Sequence, residues 1–277
     1  MRLYILILTA LAAFAGNSLL NRYALSSGAI GPIGFAAIRV LSGAGMLLLV
    51  FLAKHRRLPK RDIGVMGPVG LLIYMVAFSL AYVALNAGFG ALLLFGSVQI
   101  SMFIGAILRG QRPHVFEYLG AMVAFVGLVY LLYPDLQVGG GRAIVVMIAA
   151  GIGWALFSIA GQGAREPLQA TTLSFAMILP VVLGIWLVAP SETLSARGAL
   201  LAALSGAGTS GLGYLVWYTV LPKISTTRAA IFQLSVPIIA IVAGALLLFE
   251  PIEARVLIAS TVVIGGIIFS LYGRKHS

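Results

Sequence analysis

Ten residues of this chain carry polar or aromatic chemistry, or interrupt the backbone, inside long apolar runs: Asn17, Arg39, Tyr74, Phe78, Gln99, Trp154, Tyr214, Trp217, Gln233 and Pro237. Amides and phenols offer hydrogen bonds, rings offer stacking and cation–π faces, and a guanidinium offers a planar fork that fits a carboxylate. The acids lie elsewhere. Asp62, Glu117, Asp135, Glu166, Glu192, Glu250 and Glu253 fall in loops or at the ends of the runs, as do His55, His114 and His276, and cysteine is absent. No acid–base pair, nucleophile triad or metal-ligand cluster therefore occurs at the depth of those runs, and neither H-E-x-x-H nor GxxxxGK[ST] appears. The set reads as a binding surface rather than an enzyme centre, with no cofactor and no metal.

The elements that must position these residues follow from composition. Of 277 residues 61% are hydrophobic and 9% charged, with a mean hydropathy of +1.09, which makes an all-α polytopic membrane protein. A hydrocarbon core of about 30 Å needs roughly 20 apolar residues of helix. Ten such spans are predicted, at about 3–24, 33–53, 64–85, 88–108, 116–132, 143–162, 171–189, 199–220, 227–249 and 255–272. Connections are short, so residues 1–277 form a single membrane domain. The start, Arg2 followed by "LYILILTALA" and "AFA", has the look of a secretory signal, but it is long enough to span and has a partner in the repeat described below.

The net charge of +11 is a topology signal before it is a nucleic-acid signal. With the N-terminus inside, thirteen of the 18 basic residues (Arg2, Lys54, Arg56, Arg57, Lys60, Arg61, Arg109, Arg112, Arg165, Lys223, Arg228, Arg274 and Lys275) collect on the cytoplasmic side. Four (Arg22, Arg142, Arg197 and Arg255) lie outside, and Arg39 lies within a span. Both termini are thus expected in the cytoplasm. The predicted partners are membrane lipid and a small molecule, with no nucleic acid.

Depth narrows the candidates. Pro237 lies about ten residues into the ninth span, roughly 15 Å at 1.5 Å per residue and so near the midplane. Gln233 is one turn away on the same face, and Pro237 releases the Gln233 carbonyl. Gln99 lies similarly deep in the fourth span. Amides at that depth either face a cavity or join helices, because an unpaired amide in hydrocarbon costs several kcal/mol. Tyr74, Phe78 and Tyr82 form one stripe, with Trp154 on another span; Tyr82 and Tyr218, near span ends, read as interfacial belt. Arg39 suits a ligand carboxylate, or else snorkels or pairs structurally. Asn17 and Asn21 form a polar face one turn apart, and Arg22 reads as an interface anchor.

The chain repeats itself. "GSVQISMFIGAILRGQRPHVFEYLGAMVAFVGLVY" overlays "LSVPIIAIVAGALLLFEPIEARVLIASTVVIGGII" without a gap, pairing Ser97 with Ser235, Arg112-Pro113 with Glu250-Pro251 and Gly127 with Gly265. "FSLAYVAL" overlays "YLVWYTVL", pairing Phe78 with Tyr214 and Tyr82 with Tyr218, and Ser210 falls opposite Tyr74. Two halves of five helices, 1–137 and 138–277, must cross in opposite senses because five is odd: an inverted repeat.

The stretch "SGLGYLVWYTVLPKISTTRAAIFQLSVPIIAIVAGALLLFEPI" with "GGIIFSLYGRK", and "AAFAGNSLLNRYAL" with "GPIGFAAIRVL", resembles the EamA-type branch of the drug/metabolite transporter superfamily over nearly the whole chain. The sequence departs from that pattern at Ala15, Gln99 and Arg112, where the family carries tryptophan, proline and glutamate. The resemblance implies ten helices around a central cavity, the fifth and tenth more peripheral, and metabolite export across a bacterial inner membrane. The mixture of tyrosines, tryptophans and amides without acids suits an amino acid or similar metabolite moved by alternating access, as a facilitator or exchanger. Drugs, nucleobases, other metabolites and a non-transporting partner or receptor subunit are the alternatives.

Overall fold

The computed structural model describes residues 2–60, 62–108, 141–189, 192–224, 229, 232, 233 and 235–272, together with 115, 116, 118–120, 122, 123, 126, 127, 129 and 130. The fifth span at 116–132, Arg112 and most of the ninth span before Ser235 lie largely outside these residues. The helices are α1 (Arg2–Ser26), α2 (Pro32–His55), α3 (Met66–Ala81), α4 (Ala87–Leu108), α5 (Gly141–Gln162) and α6 (Pro167–Val188). They continue with α7 (Ala196–Leu204), a π-helical segment (Ser205–Leu212), α8 (Gly213–Val220), α9 (Ser235–Leu248) and α10 (Ala254–Tyr272). The fold is all-α and polytopic. α1, α2, α5, α6 and the rod 196–223 are each long and apolar enough to cross a membrane, as is α4 over Ala87–Gly105. Exposed Leu49, Leu187, Val188, Leu246 and Leu247 present an apolar surface to the bilayer.

Local chemistry sets the helix ends. Pro32 and Pro167 occupy first-turn positions, where a missing N–H costs nothing. Ser195 caps α7 by accepting from Gly198 N at 3.0 Å, and the Glu192 carboxylate accepts from Gly34 N at 2.8 Å at the start of α2.

The halves interlock. α3 packs along α5, and the rod containing α7 and α8 packs along α1, so the third span of each half lies on the first span of the other. Glycine permits the first of these crossings: a Cβ on Gly70 would lie 2.6 Å from the Gly153 carbonyl oxygen, and one on Gly153 would lie 2.7 Å from that of Gly70. α2 rests on α6 and on the π segment, and α4 on α5 and α9.

In "SGAGTSGL" the helix widens, and Gly213 N–H reaches back five residues to the Gly208 carbonyl. Gly206 within this turn sits directly against the Arg39 backbone, leaving no room for a side chain.

Candidate functional site

Arg39 lies two turns into α2 and is fully buried, with 0% exposure. It does not snorkel, because the π segment and α8 close over it. Nε donates to Ser210 Oγ at 2.7 Å, and Nη2 donates to the hydroxyls of Tyr74 at 3.2 Å and Tyr214 at 2.5 Å. The guanidinium carbon is 5.1 Å from the centroid of the Phe78 ring and 5.4 Å from that of Tyr74. Tyr74 and Phe78 come from α3; Ser210 and Tyr214 are their repeat partners. One guanidinium therefore joins corresponding positions of the two halves.

A second layer holds this arrangement. Asn17 Nδ2 donates to Tyr214 Oη at 3.1 Å and to the Thr209 carbonyl at 3.2 Å, while Asn17 Oδ1 accepts from Ser205, Thr209 and Ser210 at 2.8, 2.6 and 3.0 Å. Tyr214 donates in turn to Tyr74 Oη at 3.0 Å. Every polar atom of this layer has a partner in the network except Arg39 Nη1, which is buried and has none.

Among the described residues no carboxylate balances the charge. Of the described acids, Glu250 pairs with Arg22 and Glu253 with Arg255, Glu166 lies 2.7 Å from His55 Nε2, Glu192 caps α2, and Asp62 lines a cavity at the end of the bundle. Burying a guanidinium without an acid costs several kcal/mol, only partly offset by hydroxyls and ring faces.

Around Arg39 the aromatic rings close on one another. Trp154 stands 4.8 Å from Tyr214, 4.9 Å from Tyr74 and 5.0 Å from Phe14 between centroids, and its Nε1 donates to Gln233 Oε1 at 2.7 Å. Gln233 Nε2 donates to the Ala229 carbonyl at 3.2 Å. Trp217 packs 5.4 Å from Phe14 and donates to Ser158 Oγ at 3.4 Å. The structure thus brings together Asn17, Arg39, Tyr74, Phe78, Trp154, Tyr214, Trp217 and Gln233. Gln99 is set apart: its Nε2 is buried and has no hydrogen-bond partner among the described residues. Pro237 is buried within α9.

One expectation needs correction. Tyr82 and Tyr218 are not belt residues: both are buried, donating to the carbonyls of Ala87 at 3.3 Å and Phe157 at 2.7 Å. Arg22, near the end of α1, is partly exposed and meets Glu250 at 3.0 Å. Sequence reasoning also missed Phe14, whose ring touches those of Phe95, Trp154, Tyr214 and Trp217. Its signal was its spacing, three residues before Asn17 and so on the same face of α1.

A cavity of about 580 Å³ opens at one end of the bundle, lined by Asp62, Gly67, Ala160, Arg165, Glu166 and Tyr218 among others. Tyr218 lies between this cavity and the ring cluster through Phe157, 4.5 Å away between centroids.

The arrangement of α-helices around a central polar and aromatic cluster is matched by sequence comparison, in which the EamA-like transporter family accounts for residues 1–133 and again for residues 141–272. The chain belongs to the EamA-like transporter family. An uncharacterised protein of Pseudomonas aeruginosa is 41% identical over 99% of this chain and 96% of its own length. An uncharacterised transporter of Archaeoglobus fulgidus is 26% identical over 86% of this chain and 88% of its own. A protein of Escherichia coli named a probable amino-acid metabolite efflux pump is 21% identical over 78% of this chain and 79% of its own. A crystal structure covering 99% of both chains superposes with a TM-score of 0.73 at 19% identity, which shows the fold alone. As an EamA-like protein the chain is a multi-pass membrane transporter of the drug/metabolite type, acting on small molecules.

Proposed function

We propose that this transporter exports amino acids or closely related zwitterions across a bacterial inner membrane, with both termini in the cytoplasm. The observation that carries the reading is the unmatched charge of Arg39. A substrate carboxylate supplies the missing counter-ion and takes the unpartnered Nη1. The ring faces of Tyr74, Phe78, Trp154, Tyr214 and Trp217 accept the ammonium and the side chain. Asn17 fixes the Tyr214 hydroxyl, Gln233 fixes the Trp154 indole, and Gln99 is the remaining polar group of the proposed substrate set. The name of the E. coli relative, a probable amino-acid metabolite efflux pump, agrees with this substrate class.

The ring cluster fills its own centre, so substrate enters only as the rings part. One set of helices, drawn from both halves, rocks against the other, with the glycines of the π segment and Pro237 as hinges. No described carboxylate or histidine reaches Arg39, so the cycle runs on the substrate's own gradient as a facilitator or exchanger.

The test is uptake into proteoliposomes containing only this protein, with a panel of labelled amino acids and nucleobases, with and without a proton gradient. Saturable amino-acid uptake indifferent to the gradient is expected. Uptake of nucleobases alone would remove the carboxylate assignment, and accumulation driven by the gradient would remove the facilitator.

A further inference from the structure

The bundle end opposite the open cavity is tied by one guanidinium and one carboxylate. Arg22, near the end of α1, donates from Nε to Glu250 Oε1 at 3.0 Å and from Nη2 to Asn86 Oδ1 at 3.0 Å. Its Nη1 reaches the carbonyls of Tyr82 at 3.4 Å and Val83 at 3.3 Å. Glu250 Oε2 accepts from the N–H of Ala87, the first residue of α4, at 2.9 Å. The side chains of Arg22 and Glu250 are 18% and 13% exposed. α1, the turn between α3 and α4, and the end of α9 are thereby fastened at one point, and that point joins the two halves of the chain.

The backbone is shaped to aim Glu250. α9 stops at Leu248, Phe249 takes a left-handed φ of 55°, and Glu250 N–H returns to the Gly244 carbonyl at 3.2 Å, a six-residue helix-ending loop. A bulky residue in that conformation costs roughly 1–2 kcal/mol.

The sequence of the first half does not repeat the carboxylate of this tie. The position 138 residues before Glu250 is Arg112, a cation where the second half has a carboxylate. The cavity of about 580 Å³ opens at the other end of the bundle, where the contact across the halves is between His55 and Glu166, a histidine and a carboxylate rather than a guanidinium fork.

We propose that Arg22 and Glu250 form the outer gate of transport, a latch that holds the exit side shut and must break for substrate release. Neither residue belongs to the substrate set. The inference rests on alternating access, and the side called outer rests on the proposed orientation.

The chain contains no cysteine, so one introduced thiol reports accessibility without background. Ser18, one turn inward of Arg22 on the same face of α1 and 1% exposed, is the reporter position. Ser18→Cys in the full-length protein is treated with a membrane-impermeant maleimide in intact cells and, separately, in inverted vesicles. Labelling from the cell exterior is expected to be slow with the latch intact, faster with Arg22→Lys, and at least tenfold faster with Glu250→Gln. If Glu250→Gln does not fold, Arg22→Lys, which keeps the charge but loses the fork, carries the same comparison. A rise seen only in inverted vesicles keeps the latch and reverses the orientation. Equal labelling from both faces in the folded variants overturns the latch, whatever substrate the protein carries.

Discussion

Arg22 and Arg39 stand in consecutive helices and solve the same problem, a guanidinium in an apolar bundle, in opposite ways. Arg22 remains 18% exposed and meets a carboxylate, an amide oxygen and two carbonyls. Arg39 is sealed at 0% exposure among hydroxyls and rings, with Nη1 empty-handed. A satisfied ion pair holds parts together; a buried charge without its anion is strain that a ligand can relieve. The two sites therefore predict opposite responses to the same substitution.

Arg39→Met should lower transport of carboxylate substrates by more than about 100-fold, since loss of a charge-assisted fork costs at least about 3 kcal/mol. It should leave thermal stability unchanged or raise it, because no acid is stranded when the charge is removed. Proteoliposome uptake and a thermal melt of the purified protein measure the two. A large fall in stability with normal uptake would remove the distinction between the two arginines. Arg22→Met should do the reverse, destabilising by about 1–3 kcal/mol because Glu250 and Asn86 lose their shared donor. Its equilibrium affinity for substrate should change little.

Within the site, Tyr214→Phe removes a hydroxyl shared by Arg39, Asn17 and Tyr74 while keeping the ring. An increase of about tenfold in KM with an unchanged melt is expected, near the 1.4 kcal/mol that one such bond represents. Gln233→Leu leaves the Trp154 indole N–H without an acceptor and should cost about 1–2 kcal/mol of stability. A fall in affinity larger than that of Tyr214→Phe would move the centre of the site from Arg39 towards Trp154.

Much of this was legible in the sequence because membranes make polarity conspicuous. Composition, span length and the repeat gave the all-α bundle, and the stripes of Tyr74 with Phe78 and Ser210 with Tyr214 could be read from helical spacing. Their convergence on Arg39 could not. It depends on the third span of each half crossing to the other half's first span, and on the widening of "SGAGTSGL" into a π turn that brings Thr209 and Ser210 to Asn17. Tyr82 and Tyr218 were misread for a related reason. Position near a span end suggests water, whereas each finds a backbone carbonyl inside the bundle. The Arg22–Glu250 tie spans 228 residues, and no local pattern encodes a contact at that separation.

The smallest expected effect bears on the symmetry of the site. Gln233 and Gln99 look alike in sequence, one deep amide in each half, yet Gln233 is engaged with Trp154 and Gln99 Nε2 is buried without a partner. Only one amide of the pair is therefore needed for the closed arrangement. Gln99→Leu should change the melt by less than about 1 kcal/mol, or raise it, since a buried polar group lacking a bond is replaced by an apolar one. If its transport is also normal, the binding surface is asymmetric and lies between α2, α3, α5 and α8. A tenfold loss of uptake with an unchanged melt would instead show that Gln99 finds its partner only in substrate, and would extend the site towards α4.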